Sequence, residues 1–458
     1  MFDRRVDFQN KFHFTSLGCA RNLVDSEVMI GHLLKAGYEH TPHLQEADYL
    51  VVNTCGFLEA SRQEGVDTIS ELFKKKKKEG KVIVAGCMVK KHAGQLKELF
   101  PDIHYFLGSG DVDKILEAVH GQKGEAITSA SSYLEWGEVP RVLSTPKHYA
   151  YLKIAEGCRK RCAFCIIPTI KGPLQSKTEA QTLKEFQALL SQGVFEVILI
   201  AQDLGDFGKD RKEKGALVRL LREMLKVKKD FWLRLLYLYP DEIDEELIRV
   251  MKSDPRICPY LDMPIQHINN DMLKAMHRTT SKEEILETIH SLREQIPHIS
   301  IRTSLMVGFP GETEQQFQEL LAFVRKYALD HVGIFSFSLE KEAYASKLPN
   351  QISAEIKQER FERLAAAQLK AVRKNNKKWI GRKMAAIVEG FHPESKWLFR
   401  ARHSGQCPEI DGQIIINDGR NIDEFGKIYD VEITGVSDYD LIGKTIATRK
   451  KSCKLSLV

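Results

Sequence analysis

Apolar runs and amphipathic segments alternate through the middle of the chain. Six runs rich in Ile, Val, Leu, Phe and Tyr predict strands, at residues 149–155, 195–201, 232–239, 260–265, 299–307 and 332–337. Helical periodicity predicts helices between them, at residues 176–192, 215–227, 241–252, 281–295 and 313–327. Strands that alternate with helices are parallel neighbours. We therefore expect a partial barrel of six β/α units, whose functional residues gather at the carboxyl ends of the strands.

A second pattern occupies the first hundred or so residues. Predicted strands at 12–17, 49–52 and 81–85 are each followed by a cysteine, and predicted helices at 25–35 and 58–73 separate them. Because parallel strands end at one edge, we expect Cys19, Cys55 and Cys87 to converge there. Gly18 and Gly86 beside two of them leave room for a bulky group. Buried strand cysteines are common by chance, but this repeat favours an iron–sulfur cluster.

Changes of composition predict three domains in an α/β chain. Residues 121–148, with their Gly, Ser and Pro clusters, are typical of a linker. A long helix is expected from about residue 351 to the lysines at 377 and 378, followed by short strands separated by glycines. The predicted domains are residues 10–122, 148–375 and 378–448, the last of them an all-β barrel.

Charge and cysteine content limit the function classes. The 458 residues include 68 basic and 62 acidic side chains, a mild excess that does not by itself indicate a nucleic-acid partner. Nine cysteines, an odd number, argue against a disulfide framework in a chain of this length without a signal peptide. No apolar run reaches the roughly 18 residues of a membrane span. We expect reduced thiols and a cytoplasmic location.

The most informative motif is Cys158, Cys162 and Cys165, which follows the first predicted barrel strand. Three thiolates at this spacing can bind three irons of a cubane cluster and leave the fourth iron without a protein ligand. A zinc site remains the alternative, but zinc needs a fourth ligand, and the next histidine is His267. The spacing therefore favours a cluster with one iron open to chemistry.

The motif, with Phe164 before its third cysteine, resembles the radical S-adenosylmethionine superfamily. The resemblance implies that S-adenosylmethionine binds the open iron, and that a glycine turn after the fifth strand approaches its adenine. Gly308 and Gly311 match that turn. The superfamily often has a Gly-Gly-Glu-like motif after the second strand, whereas this chain has Gln202 and Asp203 there. Two interpretations stay open: Gln202 or Asp203 substitutes for that motif, or the stretch is a polar end of the loop.

With two cysteine triads, the chain resembles radical S-adenosylmethionine methylthiotransferases along nearly its whole length. That resemblance implies an N-terminal cluster domain, a radical barrel and a C-terminal barrel called TRAM, with two 4Fe-4S clusters and S-adenosylmethionine as cofactors. It also implies an electron donor such as flavodoxin or ferredoxin. Four segments are similar to the branch that modifies the β-carbon of an aspartate in a small-subunit ribosomal protein: residues 16–27, 235–240, 260–268 and 408–412.

Two alternatives remain open at this point. A methylthiotransferase that acts on adenosine of transfer RNA has the same chemistry, and an iron–sulfur electron carrier could use the same six cysteines. Residues 379–448 hold eight basic and eleven acidic side chains, which favours a basic protein partner over a phosphate backbone. Basic runs at 373–378 and 449–454 flank this segment, and we interpret them as solvated ends.

Hydrogen-atom abstraction needs no side-chain acid or base, so the sequence assigns no general acid–base residue. His267 follows a barrel strand, and either a ligand contact or a loop hydrogen bond would explain it. Cys258, Cys407 and Cys453 lack partners at ligand spacing. We expect these three cysteines to take no part in the chemistry.

Overall fold

The protein forms three modules that pack against one another. The computed structural model describes residues 10–127, 134 and 139–448, so the predicted bystander Cys453 and the basic run at 449–454 lie outside the described residues. No helix within these ranges is both long and apolar enough to cross a membrane.

The first module is a parallel sheet with strand order β2-β1-β3-β4-β5-β6. Its strands are β1 (Lys11–Ser16), β2 (Glu39–His40), β3 (Tyr49–Thr54), β4 (Lys81–Gly86), β5 (Tyr105–Gly108) and β6 (Gly124–Ala126). Its helices are α1 (Ala20–Lys35), α2 (Glu59–Lys75), α3 (Cys87–Leu99) and α4 (Ile115–His120). The predicted parallel order of β1, β3 and β4 is present. The predicted linker was wrong at its start, because β6 pairs with β5 as an edge strand.

The second module is a six-stranded open barrel with order β14-β13-β12-β11-β10-β7, all parallel. Its strands are β7 (Tyr149–Lys153), β10 (Glu196–Ile200), β11 (Trp232–Leu235), β12 (Ile257–Asp262), β13 (Ser300–Val307) and β14 (His331–Ser336), and a short pair is formed by β8 (Ala155–Glu156) and β9 (Gln175–Ser176). Its helices are α5 (Ile167–Lys171), α6 (Glu179–Ser191), α7 (Ala216–Leu225), α8 (Glu245–Ser253), α9 (Asn270–Ala275), α10 (Lys282–Gln295) and α11 (Glu314–Tyr327).

The alternation of side chains along each barrel strand separates two cores. Residues that face outward pack under the helices and form one large apolar core. The inner face is filled by Tyr151, Ile198 and Trp232 of the barrel together with Val24 of α1 and Ile387 of the third module. The open barrel therefore completes its interior with side chains from both neighbouring modules.

The third module follows the long helix α12 (Ala354–Asn376). Five strands close into a barrel with order β15-β16-β17-β19-β18. They are β15 (Lys383–His392), β16 (Ser395–His403), β17 (Ile414–Asp418), β18 (Ile428–Ser437) and β19 (Asp440–Thr448). Residues 403–411 leave this small barrel and contact the open barrel, and we call this segment the docking loop.

Buried charges join the third module to the open barrel. Glu196, the first residue of β10, accepts hydrogen bonds from Arg234 at 2.6 Å and from Arg402 at 2.6 Å. Arg402 also donates to Glu389 at 2.7 Å, and Nε2 of His148 lies 3.0 Å from the same carboxylate. Because an unpaired charge here would be expensive, the module docks in one orientation.

The docking loop depends on a neutral imidazole. The backbone N–H of Gly405 donates to Nδ1 of His403 at 3.0 Å, and the carbonyl of Gly405 lies 3.0 Å from Nε2 of His331. Burial, together with the positive charges nearby, lowers the pKa of His403 to about 3. Protonation of His403 would remove the acceptor that holds Gly405.

Acid should weaken this docking in a defined pH window. Because the pKa of His403 is about 3 in the folded chain and 6.5 ordinarily, its contribution to stability is complete above 6.5 and is lost as the pH falls towards 3. The slope is at most about 1.4 kcal/mol per pH unit for one proton. Urea unfolding midpoints of the wild type and of His403→Gln, measured from about pH 7 to about pH 4.5, should diverge at neutral pH and converge on acidification. Parallel curves would contradict this role for His403.

Candidate active site

Three cysteines meet at the carboxyl edge of the first sheet, each at the start of a helix or loop. Cys19 is the N-cap of α1, Cys55 follows β3, and Cys87 is the first residue of α3. A Cβ placed on Gly18 would lie 2.8 Å from Cβ of Cys55 and 3.4 Å from its Sγ. Only glycine therefore lets the Cys19 turn approach Cys55 so closely.

Asn22, in the first turn of α1, ties the three cysteine loops together. Its Nδ2 donates to the carbonyl of Leu17 at 3.1 Å and to that of Thr54 at 3.0 Å, next to Cys55. Its Oδ1 accepts from the Cys87 thiol at 3.6 Å. One buried amide thus contacts all three segments, a role that the sequence pattern did not indicate.

Gly86 completes this edge. Its φ of +102° is in the region that favours glycine, and an added Cβ would lie 2.3 Å from Oδ1 of Asn53. Asn53 donates in turn to the backbone carbonyl of Asn22 at 2.9 Å. The sharp turn at Gly86 therefore places Cys87 against the same asparagine network.

The second triad lies in the loop between β8 and α5, at the carboxyl end of β7. The Cys162 thiol and the Tyr239 hydroxyl hydrogen-bond at 2.9 Å, and Arg278 donates to the same sulfur at 3.8 Å. The Arg278 guanidinium also stacks 3.9 Å above the Tyr239 ring. The loop after β11 and the segment after α9 thus fix the middle cysteine, and neither contact was predicted.

The donor set suits a metal cluster. All six predicted ligand cysteines are free thiols. Burial raises the pKa of Cys158 to about 11 and that of Cys165 to about 12, and the neighbouring Cys162 adds to both shifts. Such thiols would bind metal by releasing their protons to solvent as the metal takes their place on sulfur, which iron–sulfur ligation requires. Their assignment as ligands stays a prediction.

Charges hold the loop of the second triad in place. Lys160 lies 3.5 Å from Asp203 and 2.9 Å from Glu242, and Arg159 lies 3.8 Å from Asp206. The three carboxylates are close enough to bind a cation. However, Lys160, Arg159 and the neighbouring lysine at 209 already pair with them, so they anchor the loop. Burial raises the pKa of Asp203 to about 7.

The predicted contacts of S-adenosylmethionine lie around this triad. Phe164 packs in a small cluster with Phe309, the residue after Gly308, so the cysteine loop and the glycine turn touch. The side-chain amide of Gln202 has both polar atoms buried and no hydrogen-bond partner among the described residues. Such an orphaned amide is suited to a polar ligand. Gly311 has φ +82° and open space around it.

His267 serves the glycine turn. Its Nε2 lies 3.2 Å from Oε1 of Glu312, whose Oε2 accepts from the backbone N–H of Gly308 at 2.6 Å and from Arg360 at 2.7 Å. All of these side chains are buried. Of the two interpretations from the sequence, the loop hydrogen bond is the one present.

Buried ion pairs fasten the first sheet to the open barrel. Asp25 of α1 pairs with Lys153, at the end of β7, and with Lys171 at 3.1 Å. Glu156 pairs with the same two lysines. Cys87 packs in one buried cluster with two residues that follow Cys165. The two triads therefore face each other across this domain interface.

A second buried network is centred on Glu27, two residues after Asp25 in α1. The Glu27 carboxylate accepts from Arg141 at 2.6 Å and from the backbone N–H of Ser144 at 2.8 Å. Arg141 also donates to Glu185 of α6 at 2.7 Å. The segment between the two domains is thereby held against both.

Comparisons with known proteins agree with this architecture. Three family profiles match: the uncharacterized protein family UPF0004 at residues 11–108, the radical SAM superfamily at 152–324 and the TRAM domain at 380–446. The ribosomal protein uS12 methylthiotransferase RimO of Protochlamydia amoebophila is 66% identical over 440 residues, which cover 95% of this chain and 93% of that protein. The chain belongs to the RimO family.

Other members of the RimO family are also similar along nearly their whole length. The enzyme of Chlamydia abortus is 56% identical over 97% of both chains, and that of Bdellovibrio bacteriovorus is 42% identical over 95% of this chain and 97% of its own. This membership makes the protein a radical S-adenosylmethionine methylthiotransferase, with S-adenosylmethionine and 4Fe-4S clusters as cofactors.

Solved structures support the fold alone. The radical S-adenosylmethionine methyltransferase TsrM of Kitasatospora setae, with cobalamin and a [4Fe-4S] cluster bound, superposes with a TM-score of 0.54 at 15% identity. The match covers 72% of this chain and 72% of that one. The α/β fold predicted for the first two modules is confirmed.

Gly157 offers a test of the loop that carries the second triad. Its φ is +76°, and an added Cβ would lie 1.9 Å from the backbone carbonyl oxygen of Pro173. Gly157→Ala should therefore displace the cysteine loop and reduce iron bound after anaerobic reconstitution to about half of the wild-type amount. Iron per chain and the melting temperature would be measured.

The matched control is Gly193→Ala. Gly193 also has a positive φ, +92°, but no atom lies within 4 Å of its added Cβ. This variant should lose about 1–2 kcal/mol of stability from backbone strain and keep its full iron content. Equal iron loss in both variants would contradict the role of Gly157.

Proposed function

We propose that the protein adds a methylthio group to the β-carbon of an aspartate in ribosomal protein uS12. The observation that carries this is the meeting of two cysteine triads across one domain interface, where Cys87 packs against the residues that follow Cys165. The curated relatives that match the full length are named as uS12 methylthiotransferases. A simple electron carrier would need neither the open barrel nor this juxtaposition.

The two triads would hold one cluster each, Cys19, Cys55 and Cys87 the auxiliary one and Cys158, Cys162 and Cys165 the radical one. When bound, the clusters and S-adenosylmethionine supply an adenosyl radical, sulfur transfer and a methyl group. Tyr239 and Arg278 position the Cys162 thiol, and the Asn22 amide positions the auxiliary triad. Phe164, Gln202, Gly308 and Gly311 would line the S-adenosylmethionine site.

The interface between the first module and the open barrel has further contacts. Arg62 of α2 donates to Glu340 at 2.8 Å, and Lys91 of α3 pairs with Glu342, so the first module also touches the loop after β14. These contacts hold the first module on the side of α2 and α3. Cys19, Cys55, Cys158 and Cys165 keep part of their surface open, which leaves room for ligands to reach the triads.

Charge does not by itself select the substrate. Of the eleven acidic residues at 379–448, Glu389, Glu409 and Asp411 pair with the radical barrel, as does Arg402 among the eight basic ones. The remaining eight acidic and seven basic side chains nearly balance. The predicted attraction for a basic partner is therefore weaker than the composition indicated, and the family assignment carries the choice over transfer RNA.

We place the reaction in the cytoplasm, where ribosomal proteins are made, with a small iron–sulfur or flavin protein as electron donor. A one-electron donor of low potential is what a radical cluster requires. Flavodoxin and ferredoxin fit this requirement.

A peptide assay tests the proposal. Reconstituted protein with S-adenosylmethionine, dithionite and a peptide from the aspartate-bearing loop of uS12 should increase the peptide mass by about 46 units, the exchange of H for SCH₃. No increase while 5′-deoxyadenosine accumulates would move the substrate to transfer RNA. No 5′-deoxyadenosine from a sample with both clusters would overturn the radical assignment.

Cysteine variants should separate the two triads. Cys162→Ala should abolish 5′-deoxyadenosine formation, whereas Cys55→Ala should retain it and lose the mass increase, because only the auxiliary triad is changed. Cys258→Ala, a buried cysteine outside both triads, is the control and should retain both activities. Loss of 5′-deoxyadenosine in Cys55→Ala at full radical-cluster loading would contradict this division of labour.

A further inference from the structure

Each of the first two modules contributes side chains to the predicted cluster site of the other. Ile166 directly follows Cys165, Ile170 lies in α5, and both pack against Cys87 of the first module. Helix α5 ends at Lys171, which places a cation of the open barrel next to the triad of the first module. The opposite exchange is made by Arg21, in the first turn of α1.

Arg21 extends from the first module onto the carboxyl edge of the open barrel. Its guanidinium donates to the backbone carbonyl of Ala201, directly after β10, at 2.9 Å, and lies 4.8 Å above the Tyr237 ring. Arg21 follows Cys19, the N-cap of α1, by two residues. Arg21 is thus fixed between a cysteine of one triad and the barrel edge that carries the other.

Geometry places Arg21 beside both triads. It lies two residues after Cys19, in the first turn of α1. Tyr237, whose ring its guanidinium covers, lies two residues before Tyr239, the hydrogen-bond partner of Cys162.

Lys171 lies on the side of the auxiliary triad. It is buried, and it pairs with Asp25 at 3.1 Å and with Glu156. Asp25 belongs to α1, whose N-cap is Cys19, and Ile170, the residue before Lys171, packs in one cluster with Cys87.

We propose that Arg21 is an electrostatic positioning residue shared by both cluster sites, and that Lys171 is a second one, lent by the barrel to the auxiliary site. This inference rests on the proposed function of the triads as cluster sites. A cluster becomes more negative when it takes up an electron, so a fixed cation nearby stabilises the reduced form and raises the reduction potential. Docking of the two domains would thus set both potentials.

Redox titration followed by electron paramagnetic resonance tests the role of Arg21. In reconstituted full-length protein, Arg21→Met should shift both clusters to more negative potentials, because the cation is lost while an unbranched apolar stem is retained. Arg21→Lys keeps the charge and should retain most of both potentials. Equal shifts in the two variants, or no shift in either, would overturn the shared role.

The test of Lys171 has to keep the net charge of the protein unchanged, because removing Lys171 alone would leave a buried carboxylate unpaired. The double variant Lys171→Met with Glu156→Gln removes one charge of each sign and should lower the potential of the auxiliary cluster more than that of the radical cluster. The matched control, Lys153→Met with Glu156→Gln, removes the same charges but keeps Lys171, and should leave the potential near that of the wild type. Equal auxiliary shifts in both double variants would refute the assignment.

Failure of this inference can be distinguished from failure of the proposed function. If the wild type binds fewer than two clusters or gives no methylthiolated peptide, the proposed function fails. If the wild type does both and the potentials of the Arg21 and Lys171 variants stay unchanged, only the present inference fails. Iron content and the melting temperature of every variant identify any that do not fold.

Discussion

Burial of Asp25 and Glu27 of α1 against cations of the open barrel and of the segment before it is the interaction on which the rest of the structure depends. Asp25 and Glu27 are almost fully buried, and each is satisfied by groups outside the first module. Taking such charges out of water costs several kcal/mol per ion unless the partners fit closely. The helix can therefore dock in only one register, and since Cys19 caps it, that register also decides where the auxiliary triad lies.

Much of the fold could be predicted from local patterns, because period-two and helical alternation record which face each element buries. The limits of the elements were less accessible. Strand β11 ends at Leu235, although the apolar pattern predicted a strand to residue 239. Two residues after Leu235, Tyr237 adopts a positive φ that the sequence does not indicate. Strand β6 has only three residues and is held by pairing with β5 rather than by an apolar pattern.

The candidate site was likewise predicted only in part. Cysteine spacing predicted the chemistry of both triads, since ligand geometry leaves a signature in the chain. Asn22, Tyr239 and Arg278 were not predicted, because each acts through contacts with segments distant in sequence. Net charge was misleading for a related reason: Glu389 and Asp411 are used to dock the third module, which composition alone does not reveal.

The docking loop has a consequence for how the modules can be recombined. Its backbone carbonyls at Ser404 and Gly405 lie against Arg234 and His331 of the open barrel, and His331 is the first residue of β14, so the small barrel covers the end of the open barrel where the strands begin. A chimera that exchanges this module between relatives must carry a matching loop and matching barrel arginines. Deleting the module would uncover the barrel interior at that end, so a truncated enzyme would report on collapse rather than on recognition of the ribosomal protein.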